Sequence, residues 1–149
     1  IDAYRLKKFW AGGFLYNRKN DTVLLHHRDT NTKINPDKWA FFGGLNEVPE
    51  TFVECFVREL REEIGLSVRP EQAILLREYL NTDMGTYRVI FYVESDISAN
   101  ELVLGEGAGF EWVSIEKIFD YDLTKKTRDD LRYFIKMTGA GIEPNSGRK

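Results

Sequence analysis

Three glutamates in one short stretch, Glu59, Glu62 and Glu63, have the residue type and the spacing to do chemistry. Positions i, i+3 and i+4 of a helix share one face, so the three carboxylates fall within reach of one another. Like charges placed this way repel by about 0.2–0.5 kcal/mol per pair in an isolated helix. That local cost invites a compensating cation. Carboxylates with no histidine or cysteine beside them are hard oxygen ligands, suited to Mg²⁺, Mn²⁺ or Ca²⁺ rather than to zinc or copper. On composition alone a plainer reading is favoured, a solvated acidic helix face.

The elements that must position these residues are legible from periodicity. Val53, Phe56, Val57, Leu60 and Ile64 form an apolar stripe at helical spacing, Thr51 and Glu54 fit a reciprocal cap, and Gly65 supplies a stop, so a helix is expected over about residues 51–64. Upstream, residues 8–16 and 22–28 read as a hairpin turning through the polar segment RKND. Residues 29–37 form a polar loop that empties into KWAFF, a short strand ended by Gly43 and Gly44. Downstream, 73–82 and 86–95 read as a second hairpin turning at Asp83, Met84 and Gly85, followed by a strand at 109–113 and a brief helix near Ile115 to Phe119. A last helix is expected at about 127–137, with Leu131, Phe134 and Ile135 on one side and Thr127 and Asp130 as its cap. Hairpins arranged around a central helix, with a second helix at the end, predict an α/β fold: a mixed sheet covered on both faces. Residues 1–138 are expected to form a single domain and 139–149 a mobile tail.

The chain's 149 residues suit one domain with a real core, and an apolar content of 42% excludes a disordered chain. No apolar run approaches the ~18–20 residues of a membrane span, and the N-terminus shows no secretory signal pattern. The single cysteine, Cys55, excludes a disulfide framework and fits a reducing compartment, with the cytoplasm as the default. Net charge is −3 with both signs interleaved, which argues against a nucleic acid polymer as partner. Exposed strand edges permit a homodimer without requiring one.

The neighbours of the three glutamates overturn the plain reading. Gly44, five residues, Glu50, seven residues and then Arg58-Glu59-Leu60-Arg61-Glu62-Glu63-Ile64-Gly65-Leu66 resembles the Nudix hydrolase signature at every defined position. At ordinary residue frequencies such a match arises by chance on the order of 10⁻⁷ times per chain, which decides the question. The resemblance runs over about residues 8–137, with a W-x-F-x-G-G approach to the signature and a GEG element before the last strand. It departs from many relatives at Phe42, where they carry proline, and at Pro49, where they carry glycine.

The resemblance implies a Nudix-type α/β/α sandwich and a divalent metal, Mg²⁺ with Mn²⁺ as a substitute. It implies Glu59, Glu62, Glu63 and the Gly43 carbonyl as metal ligands, with Glu106 completing the metal site or activating water. Glu50 and Arg58 are implied to brace the loop against the helix, and Gly43 and Gly44 to let backbone approach metal and substrate. Arg28, Gly44 and Lys38 are candidate substrate contacts, with Lys33 a weaker one. His26 and His27, being adjacent, point to opposite faces of a strand and are read as structural. Cys55 is read as a packed thiol, and Trp39, Phe41 and Tyr92 as core aromatics that could also stack on a base.

The implied reaction is hydrolysis of a diphosphate linkage in a nucleoside diphosphate-X substrate. Compactness favours a (d)NTP or modified NTP, cut to nucleoside monophosphate and pyrophosphate, as in the antimutator branch (MutT-like). Thr127 stands where that branch has a base-reading asparagine, so oxidised guanine is not the expected base. The runner-up is a nucleotide-sugar or ADP-ribose-type hydrolase. A non-catalytic nucleotide-sensing module is the alternative of a different class.

Overall fold

The computed structural model describes residues 8–33, 36–47 and 49–141. Seven strands form one mixed sheet: β1 (Phe9–Asn17), β2 (Thr22–His27), β3 (Trp39–Ala40), β4 (Phe42–Leu45), β5 (Ile74–Asn81), β6 (Thr86–Glu94) and β7 (Gly109–Ser114). Helix α1 (Phe52–Ile64) covers one face, and helix α2 (Lys125–Thr138) covers the other. The period-2 pattern of the strands dictates this layering. In β1, Phe9, Ala11 and Leu15 pack toward α1 while Phe14 and Tyr16 pack toward α2. In β6, Val89, Phe91 and Val93 divide from Ile90 and Tyr92 in the same way. Phe56 of α1 and Phe134 of α2 are fully buried against these faces, each worth about 1.5–3 kcal/mol relative to exposure.

The centre of the sheet is forked. Strand β6 runs parallel to β1 from Phe9 to Tyr16 along one edge. On the other edge β1 pairs with β2 only through Leu15–Asn17 and with β4 through Trp10–Gly13. Strands β1 and β2 thus splay apart, and the segment 39–45 fills the gap. Its first two residues pair with His26 and His27 of β2, and then, past Phe41, it crosses to β1. The single strand expected at KWAFF is therefore two short ones, Trp39–Ala40 on β2 and Phe42–Leu45 on β1, with Phe41 at the crossing. The crossing continues through Gly43 and Gly44 and carries them directly beneath α1.

Both helices are closed as the residue types require. Thr51 and Glu54 exchange bonds of 3.2 Å and 2.8 Å in a reciprocal cap, and Gly65 ends α1 in the left-handed region at φ 67°. Helix α2 differs from its expected start. Its cap is Thr124, whose hydroxyl accepts the Thr127 N–H at 3.3 Å, and Thr127 and Asp130 lie inside the helix, buried. The brief helix expected at 115–119 is a 3-10 turn at Ile118–Asp120. The tail expected from residue 139 begins packed: Ala140 is buried and the Gly141 N–H donates to Asp21 at 2.7 Å. The remainder of that tail, and the N-terminal residues read for a secretory signal, lie outside the described residues. No helix among the described residues is long and apolar enough to cross a membrane.

Candidate active site

The fork and the last turns of α1 bring the acidic residues together. Carboxylate oxygens of Glu59, Glu63 and Glu106 all lie within 4.8 Å of one another. Glu59 and Glu63 are one helical turn apart on the buried side of α1, facing β4. The Gly43 N–H donates to Glu63 Oε1 at 2.9 Å, so in this structure Gly43 meets the cluster through its amide rather than its carbonyl. At Gly44 a Cβ would sit 2.6 Å from Glu59 Oε2, which is why the crossing strand needs glycine there.

Glu106 reaches the cluster from a separate loop, pinned at three points. The Gly105 N–H donates to the Glu63 carbonyl at 2.8 Å, in an approach so close that a Cβ on Gly105 would lie 1.9 Å from the Glu62 carbonyl oxygen. The Ala108 N–H donates to the His27 carbonyl at 2.8 Å. His26 Nε2 lies 2.8 Å from the Glu106 carbonyl, and a carbonyl can only accept, so that nitrogen carries the proton. The ring stacks on Phe42, and burial holds the imidazole below its ordinary range, so His26 is a neutral strut.

Electrostatics set this cluster apart. Burial, followed by the charge of Glu59 and a hydrogen bond to Glu106, pushes Glu63 from its ordinary 4.5 up to about 10. Burial also raises Glu59, with Arg58 pulling the other way. Three carboxylates held this close, two of them buried and one exposed, fit a hard divalent cation.

The other signature residues surround that core. Arg58 binds Glu50 through Nε at 2.6 Å and Nη2 at 3.1 Å, and both side chains are only 12% exposed. Nη1 donates to Glu59 at 2.9 Å and Nη2 to the Leu45 carbonyl at 3.2 Å. Glu50 in turn accepts the Glu47 N–H at 2.8 Å. One guanidinium thus ties the incoming loop, β4 and a cluster carboxylate together, and a bidentate, sheltered pair holds geometry far better than a solvated one. Glu62 differs from the expectation. Its carboxylate is 52% exposed, bonds to Arg58 at 3.1 Å and stands apart from the three clustered acids, because position i+3 points out of the groove that i and i+4 line. Cys55 is buried beneath Gly44 and Arg58, and burial pushes its thiol up to about 12, which leaves it inert.

A cleft of about 670 Å³ opens on the α2 face, beside the cluster in sequence: Leu45, one residue past Gly44, helps to line it. Trp10, Arg28, Phe41, Arg88 and Thr127 also line it. Lys38 does not; it pairs with Asp122 at 3.0 Å. Of the aromatic candidates, only Phe41 belongs to the cleft. Trp39 stacks on His27, and Tyr92 is core, stacked against Phe14. Trp10 and Arg88 went unrecognised in the sequence. The available signal was Arg88 itself, a charge at an inward position of an otherwise apolar strand.

The chain belongs to the Nudix family, the NUDIX domain matching residues 8–137. It is a pyrophosphohydrolase by that membership and by its relatives. It is 30% identical over 124 residues to a nucleoside triphosphatase NudI of Salmonella arizonae, covering 73% of this chain and 84% of that one. It is 27% identical over 99 residues to a prenyl-diphosphate phosphatase of Methanosarcina mazei, covering 64% of this chain and 58% of the relative's length. In structure it resembles a MutT protein of Methanosarcina mazei, with a TM-score of 0.69 at 22% identity over 87% of this chain and 94% of the other. The last likeness bears on the fold alone.

Proposed function

We propose that the protein hydrolyses nucleoside triphosphates, or modified ones, to nucleoside monophosphate and pyrophosphate in a Mg²⁺-dependent reaction, with Mn²⁺ as a substitute. The observation that carries this reading is the cluster of Glu59, Glu63 and Glu106, whose carboxylate oxygens lie within 4.8 Å of one another; the cleft lined by Arg28, Phe41 and Arg88 on the α2 face offers the room for the rest of the substrate. The NudI resemblance supports the triphosphate as substrate.

Glu59, Glu63 and Glu106 would hold the cation, with Glu62 at its outer side. Bound there, a divalent ion supplies charge neutralisation for the diphosphate oxygens. The chain's own groups do the rest. Gly43 and Gly44 present backbone to the phosphates without a Cβ in the way, and Arg28, on the cleft wall, donates to phosphate oxygens. Glu106, the exposed member of the cluster, takes the proton of the attacking water. Water adds to one phosphorus of the α–β diphosphate link and the bridging P–O bond breaks, so that nucleoside monophosphate and pyrophosphate separate. The Glu50–Arg58 pair keeps the loop and Glu59 in register throughout.

The prenyl-diphosphate phosphatase resemblance favours one second reading, cleavage of a diphosphate on a group other than a nucleoside. Nucleotide sugars and ADP-ribose belong to the same test. The protein is incubated with NTPs, ADP-ribose, nucleotide sugars and prenyl diphosphates, with Mg²⁺ and with EDTA, and the products are resolved by ³¹P NMR. Pyrophosphate and NMP from NTPs, lost in EDTA, are expected. Orthophosphate as the first product, or cleavage of only non-nucleotide substrates, overturns the proposal.

A further inference from the structure

The floor of the cleft carries a fixed cation that the carboxylate cluster does not use. Arg88 lies directly across from Trp10 in the parallel β1–β6 pair, its side chain only 10% exposed and its Cζ 4.3 Å from the centre of the Trp10 ring. Its Nε and Nη2 each lie 3.0 Å from Asp130 Oδ2. Asp130 is fully buried, and its other oxygen accepts from the Tyr79 hydroxyl at 2.9 Å and faces Arg77 Nε at 3.2 Å. The Nε/Nη2 edge of the Arg88 guanidinium and one of its faces are thereby fixed. Its Nη1 has no acceptor among the described residues, while the side chain lines the cleft.

A guanidinium only donates, so a ligand reaching this floor must bring an acceptor. The other polar groups of the cleft are largely committed. Asn81 Oδ1 accepts the Asp83 N–H at 3.2 Å, Lys126 faces Asp83 at 3.6 Å and Lys125 faces Asp129 at 3.3 Å. With each lysine beside a carboxylate, the cleft is not built as a trap for a second anion. A neutral acceptor on a flat ring suits it, between Phe41 and the preset donor.

We propose that Arg88 reads the base, favouring keto bases (uracil and guanine) over amino bases (cytosine and adenine); this rests on the reading of the protein as a nucleoside triphosphate hydrolase. With the phosphates at Gly43 and Gly44, the edge of the base farthest from the sugar enters the cleft first. That edge carries O4 in uracil and O6 in guanine, both acceptors, but an amino group in cytosine and adenine, which sets donor against donor. Asp130 and Trp10 are positioning residues: they hold the guanidinium so that Nη1 alone is offered.

The test uses two matched pairs, UMP with CMP and GMP with AMP, whose binding to the metal-free protein is measured by calorimetry. The kcat/KM values of the four NTPs are measured in parallel. The keto member of each pair is expected to bind about tenfold or more tightly, and Arg88→Gln should reduce that ratio to about twofold or less while a melting curve reports whether the variant is folded. Equal binding within the pairs in the wild-type protein, or an undiminished preference in folded Arg88→Gln, overturns the inference. If Arg88→Gln does not fold, the wild-type ratios decide alone. Equal cleavage of all four NTPs leaves the proposed reaction standing and removes base reading. A keto preference in binding with no NTP cleaved does the reverse, and binding of no mononucleotide removes base reading as well.

Discussion

Two acids are buried on opposite faces of the same sheet, and they are provided for in opposite ways. Asp130, beneath the cleft, is ringed by donors: Arg88, the Tyr79 hydroxyl and Arg77. Burial pushes its carboxyl up, and those three partners pull it back. Glu63, beneath the fork, has the Gly43 amide and otherwise two more carboxylates. The first arrangement has its counterions within the chain, with Arg77 Nε alone left without a hydrogen bond among the described residues, and serves to hold a shape. The second is incomplete, and what it lacks is positive charge. A buried acid with its counterions built in is a structural device, whereas one left among other acids marks a place for a ligand.

The largest effect should come from breaking the first arrangement. Asp130→Ala strands two guanidinium groups without their carboxylate, and breaking a buried pair from one side costs about 3–5 kcal/mol. Urea denaturation should show a loss of that size with an unchanged m-value. A loss below about 1 kcal/mol would mean that solvent reaches the pair and that the contrast with Glu63 is false. Glu63→Gln tests the other half. It should lower turnover at least about 10²-fold, yet leave the metal-free protein as stable as the parent or more so, because a neutral amide spares the folded chain the cost of holding a buried carboxyl protonated. Turnover within about tenfold of the parent, or a clear loss of metal-free stability, would make Glu63 a second structural acid.

The same contrast explains what could be read from the sequence. Glu59, Glu62 and Glu63 lie within one helix, where a fixed local geometry turns spacing into placement, and Gly44, Glu50 and Arg58 sit on the same short segment. Even there, the pattern could not say that Glu62 faces outward to Arg58, since a helical face is wider than a groove. Glu106 was identifiable only through family resemblance, because nothing in its own neighbourhood announces that Gly105 packs on the end of α1. The cleft was legible only in part: Arg28, Phe41 and Thr127 were candidates from the sequence, whereas Trp10 and Arg88 meet through the parallel β1–β6 pairing, a contact between segments far apart in the chain. Asp130 was mistaken for a cap because an acid near a helix start usually is one; its burial beside Leu131 and Phe134 is a tertiary fact. The two-helix, mixed-sheet architecture was legible from periodicity, but the fork that splits residues 39–45 was not.

A smaller effect should follow pH. Glu63 sits at about 10 in the folded protein against an ordinary 4.5, so the unfolded chain releases this proton first as pH rises. Stability from this group is full below pH 4.5 and is lost progressively as pH climbs toward about 10; Glu59, also raised, acts in the same direction. A divalent cation must displace that proton, so its binding strengthens with pH. Differential scanning calorimetry with and without MgCl₂ should show a larger metal-induced rise in Tm at pH 8 than at pH 6. In Glu63→Gln that difference should shrink. A metal effect that is flat with pH, or larger at pH 6, would place the cation away from Glu63.

The smallest effect separates the helices that carry the two acids. Thr51 caps α1 from a partly exposed position with a reciprocal partner in Glu54, whereas Thr124 caps α2 while buried and bonded to Thr127 at 2.8 Å. Replacing either with alanine removes one side-chain acceptor and should cost about 1 kcal/mol. The two should part in their consequences for ligands. Thr124 and Thr127 line the cleft, so Thr124→Ala should loosen the wall near the base and weaken mononucleotide binding about twofold to fivefold while leaving metal binding unchanged. Thr51→Ala, at the far end of α1 from Glu63, should change neither. If Thr51→Ala weakened metal binding as strongly as it lowers stability, the cluster would depend on the whole helix rather than on its last turns and the fork beneath them.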